Sequence, residues 1–267
     1  MTSHIIPPLL LVGFGKMGSA MLAGWREAGL APSIAIDPMA PPSPGPELTV
    51  LPNAAAIPAD FAPAAVILAV KPQSAAETLP LYRRFAGSAV FLSIMAGRTL
   101  AGMEALLGRA AIVRAMPNTP AAVRQGVTVG CPNPAVTAAQ RDLCDRLLRA
   151  IGEVAWVNDE ALLDPVTAVS GSGPAYVFLL AELMEQAAIA QGIPPDLARL
   201  LARQTVSGSG ALLAASPEES AQLRKNVTSP KGTTEAALHV MMADGAWPKI
   251  IDAAIAAATV RSRELAG

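Results

Sequence analysis

The sequence predicts an α/β domain with a mostly parallel sheet, followed by an all-α domain. Short apolar runs alternate with helix-like segments through the first half of the 267-residue chain, which is typical of βαβ units. A glycine-rich turn joins the first strand to the first helix, and strand patterns stop after about Asn158. We therefore predict a Rossmann-like dinucleotide-binding domain over residues 1–159 and a helical substrate-binding and dimerisation domain over residues 160–267.

The individual elements are predicted from β-branched and leucine-rich runs for strands, and from apolar residues at helical spacing for helices. The strands fall near residues 9–12, 34–36, 66–70, 90–94, 111–114, 127–129 and 154–157. The helices fall at residues 16–28, 73–85, 100–107, 134–151, 174–191, 195–213, 233–242 and 247–265. The proline-rich stretch 38–46 is predicted to be a surface loop, because proline lacks the amide donor that helices and central strands need.

The composition excludes several classes of partner. With 20 Lys and Arg against 21 Asp and Glu, the net charge of -1 gives no attraction to nucleic acid. Although the mean hydropathy is +0.41, acidic residues such as Glu182 and Asp252 interrupt the longest apolar runs, so we expect no membrane partner. The first residues lack the pattern of a secretory signal, and Cys131 and Cys144 lack metal-type spacing. We expect a cytoplasmic protein with no metal site.

The helix that begins near Pro174 is apolar around nearly its whole circumference. Such a helix needs to be buried on all sides, and about 110 helical residues can hardly bury it alone. We infer that a second subunit covers it.

The glycine-rich turn has the spacing of a dinucleotide-binding motif. Gly13 permits the tight turn, Gly15 lets a pyrophosphate approach the backbone, and Gly18 lets the helix pack against the strand. The candidate cofactor-binding residues of this motif are Gly13, Phe14, Gly15, Lys16, Met17 and Gly18. The alternative is a glycine-rich turn that binds no ligand.

Asp37 ends the second predicted strand, where a carboxylate can accept hydrogen bonds from the ribose hydroxyls but repels a 2′-phosphate. No Arg or Lys follows it before Lys71. NADH is therefore favoured over NADPH.

Six motifs together resemble the Δ1-pyrroline-5-carboxylate reductases over almost the entire chain. They lie at residues 13–18, 69–73, 93–97, 114–120, 167–176 and 227–234. The resemblance implies reduction of the cyclic imine of pyrroline-5-carboxylate to L-proline, the last step of proline biosynthesis, by NADH or NADPH in a homodimer or larger homo-oligomer. It also implies that Val70, Lys71 and Pro72 contact the nicotinamide-side ribose, and that Thr234 orients or helps to protonate the imine nitrogen.

The residues themselves suggest where the substrate carboxylate binds. The segment Ser229-Pro230-Lys231-Gly232-Thr233-Thr234 precedes a predicted helix, whose N-terminal amides stabilise an anion, and the hydroxyls of Ser229, Thr233 and Thr234 add donors. Alternatively, Thr233 only caps the helix. The family usually has glycine where this chain has Lys231, so its backbone is either ordinary or strained by about 1–2 kcal/mol.

Asn118 follows a strand and either bonds the nicotinamide end of the cofactor or forms an ordinary Asn-Thr-Pro turn. We assign no acid–base histidine, because an imine can be protonated by water before it binds. Two other functions stay open: another Rossmann imine or β-hydroxyacid reductase, and a dinucleotide sensor without turnover. Nicotinamide absorbance with and without pyrroline-5-carboxylate separates all three.

Overall fold

The computed structural model describes residues 6–39, 45 and 47–266. It divides the chain into two compact units. The first extends to Gly171 and also includes the C-terminal stretch from Thr259, and the second comprises residues 172–258. This division falls later in the chain than the predicted boundary near residue 160.

The first unit is built on one sheet of eight strands. The strands are β1 Leu9–Val12, β2 Ser33–Ile36, β3 Leu48–Leu51, β4 Ala65–Leu68, β5 Val90–Ser93, β6 Ala111–Met116, β7 Gly126–Pro132 and β8 Gly152–Trp156. Their order in the sheet is β3-β2-β1-β4-β5-β6-β7-β8. Neighbouring strands are parallel except β6 and β7. The predicted α/β fold with a mostly parallel sheet is confirmed.

Helices connect the strands of this unit. They are α1 Lys16–Glu27, α2 Ala75–Thr78, α3 Leu100–Leu107, α4 Ala138–Arg149 and α5 Leu163–Val166. The single helix predicted over 73–85 was wrong, because the segment divides into the 3-10 helix Pro72–Ser74, the short α2 and the 3-10 helix Leu79–Phe85. Pro80 lacks the amide donor that a continuous α-helix needs at that point.

The core occupies both faces of the sheet. Strands β1, β2, β4 and β5 are buried at every residue, as expected for parallel strands covered on two sides. On one face, Trp25 of α1 donates its indole N–H to the carbonyl oxygen of Leu147 in α4 at 2.9 Å. This hydrogen bond satisfies the polar atom of a large buried ring.

Strand β3 was not predicted. It pairs in parallel with β2 at the edge of the sheet, directly after the proline-rich stretch. Of the surface loop predicted at 38–46, residues 40–44 and 46 lie outside the described residues.

The second unit contains the helices of the C-terminal half. They are α6 Gly173–Ala190, α7 Pro195–Ala215, the unpredicted α8 Ser220–Asn226, α9 Thr233–Met241 and the first part of α10 Trp247–Ala266. Within residues 172–258, all of which the structure describes, only Ala198 and Ala202 are buried in the single chain. The side chain of Phe178 in α6 is 68% exposed.

The helical stretch Glu160–Ala190 is long and apolar enough, by length and composition alone, to cross a membrane. Glu182 interrupts this apolar run, as the sequence analysis noted, but one acidic residue does not lower its mean hydropathy below that of a possible span. Few residues in its most apolar window are fully buried in one chain. It thus presents a large apolar surface that something else has to cover.

Candidate functional site

The topological switch point of the sheet, where a ligand-binding crevice is expected, lies at its carboxyl edge between β1 and β4. β1 pairs with β2 on one side and with β4 on the other, so the chain runs outward from β1 to β2 and β3 and then crosses back to β4. Open α/β sheets bind ligands outside the carboxyl ends of the strands at such a switch point. The loops after β1, β2, β4 and β5 meet at this edge.

The glycine turn after β1 has the geometry that a bound pyrophosphate needs. Gly13 has φ +94°, and a Cβ there would lie 2.7 Å from the carbonyl oxygen of Ala69. A Cβ on Gly18 would lie 2.8 Å from the carbonyl oxygen of Gly13, whereas one on Gly15 would meet no described atom within 4 Å. The first turn of α1 has no side-chain cap among the described residues. Its amides, from Lys16 and Met17 onward, remain available as anion donors.

Asp37 holds the glycine turn in place. Its Oδ2 accepts the backbone N–H of Phe14 at 2.8 Å, and its Oδ1 accepts the backbone N–H of Met39 at 2.8 Å. Hydrogen bonds from amides to a carboxylate are stronger than those between neutral groups. The carboxylate at the end of β2 is therefore fixed in one orientation beside the turn.

The loop after β4 carries three predicted site residues. Val70 is half-buried and Lys71 is exposed, while Pro72 begins a 3-10 helix in which the Lys71 carbonyl accepts the Ser74 hydroxyl at 2.9 Å. The sequence analysis missed Arg98, whose Nε donates to the carbonyl oxygen of Pro72 at 2.9 Å from the loop after β5. A lone cation soon after a strand end was the signal in the sequence.

The side chain of Asn118 stabilises the turn before β7. Its Oδ1 accepts the backbone N–H of Val127 at the start of β7 at 2.9 Å, which leaves its side-chain amide hydrogens as the donors.

The buried Arg114 of β6 forms a 2.7 Å ion pair with Glu160, which also accepts the backbone N–H of Leu100 at the start of α3. Burial, and then the Glu160 carboxylate, raise the pKa of the Cys131 thiol. This thiol is therefore not activated as a nucleophile.

In the second unit, the segment from Ser229 to Thr234 turns into α9. Gly232 is the N-cap, with no side-chain cap among the described residues, and Thr233 and Thr234 are the first two helical residues. The alternative that Thr233 caps the helix was therefore wrong. The Ser229 carbonyl accepts the Gly232 N–H at 3.0 Å. The first-turn amides of α9 point out of the helix end, where they can bind a carboxylate.

Lys231 adopts the left-handed conformation, with φ +59°. Its backbone N–H donates to Oε2 of Glu235 at 2.7 Å. Of the two alternatives considered for this lysine, an ordinary or a strained backbone, the structure has the strained one.

The structure brings together the predicted residues of the first unit, from the glycine turn to Asp37 and the loop after β4. The segment from Ser229 to Thr234 belongs to the second unit and is described by itself. Among the described residues there is no group of three or more His, Cys, Asp or Glu side chains that could hold a metal ion.

Comparison with known proteins identifies relatives over both units. Residues 160–265 match the family model of pyrroline-5-carboxylate reductase dimerisation. The pyrroline-5-carboxylate reductase of Pseudomonas aeruginosa is 39% identical over 272 residues, which cover 97% of this chain and 97% of that protein. The one of a Synechocystis species is 40% identical over 200 residues, or 75% of this chain and 74% of that protein.

Solved structures agree with these relatives. A pyrroline-5-carboxylate reductase from Coxiella burnetii superposes with a TM-score of 0.89 at 30% identity, covering 98% of this chain and 99% of that one. The Plasmodium falciparum pyrroline carboxylate reductase, crystallised with NADP bound, has a TM-score of 0.81 at 26% identity and covers 98% of each chain.

Proposed function

The chain belongs to the pyrroline-5-carboxylate reductase family, and from that premise we propose which of its residues bind the cofactor and the substrate. It is an NAD(P)H-dependent oxidoreductase that reduces the C=N bond of Δ1-pyrroline-5-carboxylate to give L-proline, the last step of proline biosynthesis. The function predicted from the six motifs is confirmed. No contact among the described residues favours another reductase or a dinucleotide sensor.

The observation that carries the assignment of the cofactor site is the glycine turn. Space is open over Gly15, and the first-turn amides of α1 are free to donate. We assign the pyrophosphate to the turn from Gly13 to Gly18. When bound there, the reduced nicotinamide supplies a hydride for the imine carbon.

We assign the nicotinamide half of the cofactor to the loops farther along the same carboxyl edge of the sheet. Val70, Lys71 and Pro72 follow β4, and their backbone faces the position of the nicotinamide ribose in this assignment. Asn118 keeps two amide hydrogens that can donate to the carboxamide, since its Oδ1 is engaged by Val127. These residues orient the ring and do not exchange protons.

Asp37 supports a preference for NADH. Its carboxylate is held by the N–H groups of Phe14 and Met39, so it cannot turn away from a 2′-phosphate without losing two hydrogen bonds. The Plasmodium falciparum relative was crystallised with NADP bound, so membership of the family does not by itself favour NADH. Both NADH and NADPH have to be measured.

The substrate carboxylate is assigned to the N-terminus of α9. Amides of Thr233 and Thr234 and the hydroxyl of Ser229 supply donors, and the Lys231 ammonium adds a positive charge. The turn requires glycine at position 232, because a Cβ there would lie 2.9 Å from the Ser229 carbonyl oxygen. Thr234 is the catalytic residue of the proposal: its hydroxyl holds the imine nitrogen, whose proton comes from solvent.

The assembly is a homo-oligomer, since residues 160–265 match a dimerisation domain. We propose that it is a dimer or a larger ring of dimers, that the exposed face of α6 is covered by the second subunit, and that residues 1–159 and 160–267 act as cofactor and substrate domains. Two free cysteines, both buried, support a reducing cytoplasmic location.

The test of this function is oxidation of NADH or NADPH in the presence of pyrroline-5-carboxylate. Gly15→Trp should abolish cofactor binding, because the indole would fill the pyrophosphate position, whereas Gly87→Trp, at another glycine with open space around it, should leave binding unchanged. A folded protein that turns over this substrate with neither cofactor would contradict the function.

A further inference from the structure

Arg98 is a partly buried cation that the sequence motifs do not explain. It lies in the loop between β5 and α3, at the same edge of the sheet as the glycine turn. The ion pairs within the described part of the chain do not include it. Its side-chain contact is instead the 2.9 Å hydrogen bond from Nε to the carbonyl oxygen of Pro72.

That hydrogen bond ties two neighbouring loops together. The Pro72 carbonyl also accepts the backbone N–H of Ala75, which closes the 3-10 helix after Lys71. Arg98 therefore adds a second donor to an acceptor inside the turn that follows β4. The backbone of Lys71 and Pro72, directly after Val70, is thus held by hydrogen bonds both from Arg98 and from within the turn.

The backbone around Arg98 is itself held firmly. Gly97 has φ +67°, and a Cβ there would lie 3.0 Å from the carbonyl oxygen of Leu265 near the end of α10. On the other side, the Thr99 hydroxyl oxygen accepts the N–H of Gly102 at 3.1 Å and caps α3. Because the backbone on both sides of Arg98 is constrained, its side chain can restrict the movement of the Pro72 carbonyl oxygen that it binds.

We propose that Arg98 is a positioning residue for hydride transfer, acting through its hydrogen bond to the Pro72 carbonyl. The proposal rests on the assignment of Val70, Lys71 and Pro72 to the nicotinamide ribose. A hydride passes only when donor and acceptor carbons are held close and aligned, and a shift of about 1 Å in the bound geometry can lower the rate about 100-fold. Arg98 limits that shift by fixing the loop beneath the ribose.

Two variants separate the hydrogen bond from the charge. In Arg98→Gln, an amide nitrogen lies as many bonds from Cα as Nε of arginine does, so a donor remains while the charge is lost. In Arg98→Met, the side chain keeps a similar length but has no donor. We expect kcat with saturating NADH and pyrroline-5-carboxylate to fall about tenfold in the Met variant, the effect of losing one hydrogen bond, and less than about twofold in the Gln variant.

NADH affinity, measured by nicotinamide fluorescence without substrate, and thermal unfolding complete the experiment. The Met variant should bind NADH more weakly than the Gln variant while unfolding at a similar temperature. Equal losses in both variants would overturn the proposal, because the charge would then matter and not the bond. Normal kinetics in the Met variant, with or without lower stability, would also overturn it. An unmodified protein that does not reduce pyrroline-5-carboxylate would overturn the proposed function itself, and this role with it.

Discussion

Replacing Lys231 by glycine should make the protein more stable. Lys231 has φ +59°, a conformation in which the Cβ of an L-residue approaches the following carbonyl oxygen. Glycine has no Cβ and avoids this contact. The hydrogen bond to Glu235 comes from the Lys231 backbone N–H, so the substitution leaves it intact.

The size of the gain is the difference between two effects. The left-handed conformation costs an L-residue about 1–2 kcal/mol. Glycine gives the unfolded chain more freedom, which lowers stability by about 0.4–1 kcal/mol. The net gain is about 0.8 kcal/mol, which corresponds to a rise of about 2 °C in the unfolding temperature of a protein of this size.

Lys231→Ala is the matched control, because alanine keeps the Cβ while it loses the ammonium group and the rest of the side chain, as glycine does. Thermal unfolding should place the Gly variant above the Ala variant, while steady-state kinetics should give both the same KM for pyrroline-5-carboxylate. If the ammonium attracts the substrate carboxylate, that KM is raised equally in both. A Gly variant no more stable than the Ala variant would refute the strained backbone.

Other substitutions and reagents test the remaining features. Thr234→Ala should lower kcat about tenfold with little change in unfolding temperature, because Gly232 and not a threonine caps α9, and a loss of stability with normal kinetics would remove the catalytic role. Asp37→Ser should narrow the difference in kcat/KM between NADH and NADPH. It should also lower the value for NADH, because it removes the carboxylate that accepts the Phe14 and Met39 amides. An unmodified protein that prefers NADPH would contradict the argument. Phe178→Glu should reduce the mass measured by light scattering, since it places a charge on the exposed face of α6, and an unchanged mass would mean that this face lies outside the interface. Burial raises the pKa of the Cys144 thiol from its ordinary value of 9.0 to about 12, so the neutral thiol is favoured in the folded state. The stability that this group contributes is therefore complete below pH 9.0 and is lost as the pH rises toward 12. A thiol reagent at pH 8 should label Cys144 only in denaturant, and labelling of the native protein would contradict that burial.

The sheet could be predicted because its central strands are buried on both faces and therefore consist of continuous apolar residues. Strand β1 was predicted with its observed bounds, and so was helix α3. Strand β3 escaped because Leu48–Leu51 is short, lies at the sheet edge and follows a run of prolines. Pro80 should have warned against one continuous helix over 73–85.

The site was predictable where a residue type has one evident use. The glycine spacing indicated the turn after β1, and the acidic end of β2 indicated Asp37. The hydrogen bond from the Phe14 amide to Asp37 depends on how loops distant in sequence meet, and no local pattern encodes that. The same holds for Arg98 and Pro72, which come together only because β4 and β5 are neighbours.

Ala198 and Ala202 are the only fully buried residues of the stretch 172–258 within one chain, while many others there are half-buried. At about 25 cal/mol per Å² of apolar surface removed from water, covering the apolar side chains that one chain leaves exposed, such as Phe178, adds stability that the single chain lacks. We therefore expect the helical unit to draw part of its stability from association with another chain. By mass action, that part of its stability falls on dilution.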